Sequence, residues 1–235
     1  MNKQSNTYTM VYIIVLVVIV GFALAATSLA LRDRQQINVN ADKMSQILSA
    51  ALIPTDAGSD VASEFDKYIT DQFVVNERGE KIEGVDAFSV DVAAQSKLAA
   101  DVRQLPIFVC TTADGAIKYI LPVYGAGLWG PIWGYVAFDS DGSTVYGAYF
   151  AHQGETPGLG AEIAKPIFSD QFKGKQVFKD GRFLPIAVVK VGQQPLNGED
   201  YVDGISGGTI TSKGVSDMLA NCLNPYKKFL QSLDR

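Results

Sequence analysis

Between Gln4 and Leu31 the chain carries no charged residue, and from Met10 onward the stretch is almost wholly apolar. As an α-helix, residues 10–31 reach roughly 33 Å, enough to cross a bilayer hydrocarbon core of about 30 Å. The core of any domain that the remaining residues can build has no room for such a run. Two readings follow. One is a retained single span. The other is a cleaved signal peptide, with Lys3 as a short positive flank and Ala23-Leu24-Ala25 as a small-residue cleavage site. The apolar run continues past that site to Leu31, longer than a usual signal core, which favours the anchor. Both readings put the rest of the chain outside the cytoplasm. Flanking charge does not orient the span, because Lys3 and the amino terminus oppose Arg32 and Arg34 with Asp33 between them. With no second apolar run, one crossing is expected.

The remaining composition excludes several classes. A net charge of -5 without any Lys/Arg cluster argues against nucleic-acid binding. The 2 cysteines, Cys110 and Cys222, lack metal-ligand spacing and are too few for a disulfide framework, so no metal site is expected. Cys222 falls on the apolar face of a predicted helix, where a buried thiol is the default. The single histidine, His152, rules out a multi-histidine metal site and would have to serve alone in any Ser-His-Asp triad.

Beyond the span, residues 32–39 read as a short polar connection. Asn40 then reads as the N-cap of a helix with Met44, Ile47, Leu48 and Ala51 at helical spacing, ending at Pro54. A short helical piece is expected at 63–69. Residues 73–105 are polar and irregular, with an extended stretch around 88–92 and a helix near 93–102. The central third is β-structure. Residues 107–112 and 117–123 form a hairpin around Asp114-Gly115, and 133–138 and 144–151 form a second. Residues 163–172 read as a helix and 183–191 as a β-branched strand. The last helix carries Val215, Met218, Leu219, Cys222 and Leu223 on one stripe, continued after Pro225 by Phe229, Leu230 and Leu233. Strands in the middle with helices at both ends predict an α+β domain with a central antiparallel sheet. The expected divisions are an N-terminus at 1–9, the span at 10–31, a helical and irregular part at 32–105, and the main domain at 106–235.

Three stretches carry chemistry. Asp203-Gly204-Ile205-Ser206-Gly207-Gly208-Thr209-Ile210-Thr211-Ser212 is a glycine turn with hydroxyl residues opening into the last helix. Helix N-termini present unpaired N–H groups that suit a phosphate, whereas the plainer reading is a helix capped by Thr211 or Ser212. His152-Gln153-Gly154-Glu155-Thr156-Pro157-Gly158-Leu159-Gly160 joins a histidine, a carboxylate and a hydroxyl on a rigid loop. Such loops often form sites, but Pro157-Gly158 is also an ordinary turn pair. Tyr124-Gly125-Ala126-Gly127-Leu128-Trp129-Gly130-Pro131-Ile132-Trp133-Gly134-Tyr135 is either an aromatic-lined segment that stacks on a flat ring or an irregular strand connection with buried tryptophans.

In this order, Gly125-Ala126-Gly127-Leu128-Trp129, the 152–160 loop and the 203–212 turn resemble the C subunit of the bacterial sodium-translocating NADH:quinone reductase. The resemblance spans nearly the whole chain. In that family an Asp-x-x-Ser-Gly-Ala-Thr pattern marks the threonine to which a flavin transferase joins FMN through its phosphate. Asp203, Ser206, Gly207 and Thr209 fill the pattern, so the resemblance implies an FMN-binding domain with covalent FMN on Thr209. Gly208 stands where the family usually carries Ala, a change that removes a methyl group and no reactive atom. The resemblance further implies that Gly208 and Thr211 lie near the phosphate. It places Glu155, Thr156, Gly158, Leu159 and Gly160 against the isoalloxazine ring with His152 beside them, and gives Leu128 and Trp129 apolar contact. No residue of this chain is expected to be catalytic. The implied role is an electron relay among the other subunits of a complex in the bacterial cytoplasmic membrane, with the N-terminus inside and the domain on the periplasmic side. The G subunit of the related Rnf electron-transport complex shares the threonine and the Glu-Thr-Pro-Gly-Leu-Gly loop and is the nearest alternative. A membrane-tethered scaffold without flavin is the alternative from another class.

Overall fold

A computed structural model of the chain describes residues 6–55, 60–195 and 197–233. Lys3 and the rest of the expected N-terminal segment before residue 6 lie outside the described residues. The chain divides into two units, Met1–Lys43 and Met44–Arg235.

The apolar run is helical, within α1 (Asn6–Ala50), and the side chains of residues 10–31 are exposed. Among the described residues α1 alone is long and apolar enough to cross a membrane, which fits a single-pass anchor. The expected polar connection at 32–39 and the N-cap at Asn40 are corrected by the structure, because the backbone stays helical from Asn6 through Ala50. Residues 32–50 contain no glycine or proline to stop a helix that the apolar run has already nucleated. The stop comes where Leu52 turns left-handed, at φ 58, and the N–H groups of Ile53 and Leu52 donate back to the carbonyls of Leu48 and Ser49.

The second unit is organised on a 6-stranded antiparallel sheet of order β2-β1-β3-β4-β5-β6. Its strands are β1 (Ile69–Val75), β2 (Lys81–Ile82), β3 (Leu105–Thr111), β4 (Ile117–Ala126), β5 (Pro131–Asp139) and β6 (Val145–His152). Both expected hairpins are present as β3–β4 and β5–β6. Alternation along β5 sends Val136 and Phe138 to one face and Tyr135 and Ala137 to the other. The first face packs against the C-terminal helices and Phe150, Phe168 and Phe172, whose rings meet 5.0–5.7 Å apart. The second packs against Ile47, Leu48 and Ala51 at the end of α1 and against Phe65 of α2 (Val61–Tyr68). Helical layers therefore cover both faces of an antiparallel sheet, as expected for the α+β class.

Several local expectations are corrected. Residues 73–75 belong to strand β1 rather than to an irregular stretch. Of residues 88–92 only Val90 and Asp91 are extended, as a link between two helical turns. The Asp86 and Asp91 carboxylates accept from the N–H groups of Phe88 and Ala94 and start a 3-10 turn at Ala87–Ser89 and the short α3 (Val92–Gln95). The expected helix at 163–172 is three short pieces: 3-10 turns at Gly160–Ala164 and Asp170–Phe172 flank α4 (Pro166–Ser169). Pro166 has no N–H to continue the preceding turn and restarts the helix at its first position. The expected strand at 183–191 is broken at Pro185. Its first part joins β7 (Phe178–Lys179) as β8 (Arg182–Phe183), and its second, β9 (Ala187–Val189), pairs in parallel with β10 (Tyr201–Asp203).

The last helix is α5 (Thr209–Leu223), followed by a 3-10 turn at Asn224–Tyr226 and α6 (Lys227–Leu233). It crosses the end of β4 at glycine contact. A Cβ on Gly214 would stand 2.3 Å from the Ala126 carbonyl oxygen, and one on Gly125 2.7 Å from Met218 Cβ. Cys222 is buried as expected. It accepts from the Tyr124 N–H and donates to the Tyr124 carbonyl, both at 3.3 Å, and burial pushes its thiol up from the ordinary value. These contacts lay α5 along the end of β4, with Gly214 against Ala126 nearest the β4–β5 turn.

Candidate functional site

Three elements converge at the head of α5. The β4–β5 turn is closed by the Gly127 N–H donating to the Gly130 carbonyl at 2.8 Å. In the loop after β6, the Glu155 N–H donates to His152 Nδ1 at 3.2 Å, and the N–H groups of Leu159 and Ala161 both donate to the Thr156 carbonyl. The Gly158 N–H donates to Glu162 Oε1 at 3.0 Å. Lys165, 2.7 Å from the other oxygen, helps hold the Glu162 carboxyl below its ordinary value. The third element is the turn before α5. There the Gly204 N–H donates to the Val189 carbonyl at 2.7 Å and the Ile205 N–H to Ser212 Oγ at 2.8 Å. Gly207 sits at φ 76, a left-handed conformation that favours glycine.

Glu155 ties the elements together. It is 5% exposed, and its Oε1 accepts from the Trp129 N–H at 2.8 Å while Oε2 accepts from the Thr211 hydroxyl at 2.6 Å. Glycines flank the carboxylate. A Cβ on Gly127 would lie 2.5 Å from Oε1, and one on Gly160 would lie 2.3 Å from Oε2 and 2.5 Å from Thr211 Oγ1. Among the described residues no lysine or arginine pairs with it.

Over this floor lies a cleft of about 230 Å³. Its walls are Leu128, Trp129, Leu159 and Ile210, which are 48%, 68%, 42% and 60% exposed. Thr156, Gly160, Gly207, Gly208 and Thr209 complete the lining. A second cleft of about 400 Å³ opens on the other side of Thr209, between residues 188–191 and the 204–207 turn, with Ser212 and Lys213.

Thr209 is exposed, is the first residue of α5 and borders both clefts. No side chain caps the helix at Gly208, so the N–H groups of residues 209–211 have no partner within the helix. This corrects the reading of Thr211 or Ser212 as caps. Both lie inside α5 and are buried, with Thr211 turned to Glu155 and Ser212 to Ile205. The tryptophans are not buried either: Trp129 is exposed, and Trp133 is partly buried with its Nε1–H donating to Gln46.

Of the expected residues, Leu128, Trp129, Glu155, Thr156, Leu159, Gly160, Gly207, Gly208, Thr209 and Thr211 meet around the smaller cleft. Ser206 faces the larger one. His152, Gly158 and Asp203 line neither. His152 braces the backbone of Glu155, Gly158 is held by Glu162, and the Asp203 N–H donates to Gln171. Gly127 and Ile210 were not among the expected site residues. Gly127 stands in the Gly-Ala-Gly-Leu-Trp segment, but its reason for being glycine is a carboxylate far away in sequence. Ile210 betrays itself only as an apolar residue left exposed at a helix start.

Residues 127–224 match the FMN-binding domain family. The C subunit of the Na(+)-translocating NADH-quinone reductase of Vibrio anguillarum is 35% identical over 230 residues, covering 91% of this chain and 89% of the relative. The corresponding Haemophilus ducreyi protein is 30% identical, covering 96% and 94%. Among solved structures, the C subunit from Parabacteroides distasonis superposes with a TM-score of 0.78 at 54% identity, covering 85% of this chain and 96% of that one. Matched by these relatives over most of its length and by their fold, the chain belongs to the family of Na(+)-translocating NADH-quinone reductase C subunits.

Proposed function

We propose that the chain carries FMN as a phosphoester on Thr209 and relays electrons within a Na(+)-translocating NADH-quinone reductase. The observation that carries this reading is an exposed threonine at the uncapped head of α5, beside an apolar-walled cleft. The donor set suits the group. The free N–H groups of residues 209–211 suit a phosphate, and Leu128, Trp129, Leu159 and Ile210 offer apolar surface to a flat ring. FMN, when bound, supplies the electron-carrying chemistry, and the protein supplies attachment, orientation and electrostatics. Gly207 and Gly208 let the backbone approach the phosphate, and Glu155 with Thr211 forms the floor beneath the ring.

The reading includes the other subunits of the complex, a flavin transferase for attachment and a membrane crossed by α1, with the domain on the periplasmic side. Covalent attachment has a physical rationale there, since a dissociated flavin outside the cytoplasm would be lost. The relatives, named as C subunits of the sodium-translocating enzyme, favour this assignment over the G subunit of the Rnf complex. The test is co-expression of the full chain with a flavin transferase, followed by intact mass. An FMN-sized addition that Thr209→Ala abolishes and Thr211→Ala retains supports the reading. Absence of the addition from the unaltered chain contradicts it.

A further inference from the structure

Glu155 is a buried carboxylate that no cation neutralises among the described residues, and it forms part of the floor of the smaller cleft. Both of its contacts, the Trp129 N–H and the Thr211 hydroxyl, can donate to an ionised carboxylate. Gly127 and Gly160 make room for the carboxylate, since a methyl group on either would collide with its oxygens, and the two hydrogen bonds hold it there. The charge is thus fixed in place and poorly screened by water.

We propose that Glu155 lowers the reduction potential of the flavin by holding a fixed negative charge against the ring's cleft. This rests on the assignment of the ring to that cleft. At neutral pH, net uptake of two electrons and one proton from the donor leaves the ring with one additional negative charge. A carboxylate in a low-dielectric floor opposes that gain and favours the oxidised form. Glu155 is therefore a positioning and tuning residue that takes no part in bond making.

The test is a redox titration of the full chain, flavinylated by co-expression with a flavin transferase, with flavin content read by intact mass. Glu155→Gln keeps an acceptor for the Trp129 N–H and turns its amide to the Thr211 oxygen, so it removes charge with little change of shape. The expected result is retained flavin and a potential raised by about 30 mV or more, a tenfold change for a two-electron couple. Ile210→Lys, which adds a positive charge on the exposed wall, raises the potential by less. Should Glu155→Gln fail to fold, Glu155→Met, which removes the charge at a similar length, decides the question in its place, with the same upward shift expected. Asp66→Asn, which removes an exposed carboxylate on α2 outside both clefts, leaves the potential close to that of the unaltered chain. Retained flavin with no upward shift in the folded charge variants overturns the inference, as does a shift in Asp66→Asn as large as that in Glu155→Gln. A chain that takes up no flavin, or one in which Thr209→Ala still does, overturns the site assignment instead.

Discussion

Thr209 and Thr211 stand two positions apart at the head of one helix, yet they belong to different regions of the site. Thr209 is on the rim: exposed, between two clefts. Thr211 is in the floor: 1% exposed and bonded to Glu155 at 2.6 Å. One offers its hydroxyl to solvent and so to an incoming group, while the other spends it on the fold. The same side chain is thus exposed surface or buried structure according to which face of the helix it occupies.

That contrast can be broken by substitutions that separate stability from flavin attachment, followed by thermal unfolding of the detergent-solubilised full chain. Gly160→Ala has the largest expected effect. The new methyl collides with both the Glu155 carboxylate and Thr211, and should destabilise by about 3 kcal/mol. Thr211→Ala removes a buried hydrogen bond to a carboxylate and should destabilise by about 2 kcal/mol while leaving the flavin attached. Gly208→Ala, which restores the residue usual in the family, meets Ile205 Cβ at 3.1 Å and the Gly160 nitrogen at 3.2 Å. It should change stability by less than about 1 kcal/mol and retain the flavin. Thr209→Ala has the smallest expected effect on stability, within about 0.5 kcal/mol, although it removes the proposed attachment point. A large loss of stability in Thr209→Ala would erase the distinction between rim and floor.

Much of this was legible in the sequence where the signal is local. The apolar span, both hairpins and the stripe of the last helix follow from periodicity, and the glycine-rich turns mark the site. What was not legible depends on distant partners. Nothing near Thr211 shows that Glu155, 56 residues away, takes its hydroxyl. Nothing near Gly127 shows that the same carboxylate needs its space. The continuity of α1 is hidden for another reason: its polar residues resemble a connection, although without glycine or proline they continue a helix already begun. At 183–191 the β-branched residues outweighed Pro185, which ends the first pairing before the second begins.

The most direct test of the central claim is the intact mass of the full chain after co-expression with a flavin transferase, alongside its Thr209→Ala and Thr211→Ala variants. The account predicts an FMN-sized addition on the unaltered chain and on Thr211→Ala, and none on Thr209→Ala. The addition surviving in Thr209→Ala, or disappearing only in Thr211→Ala, would contradict it.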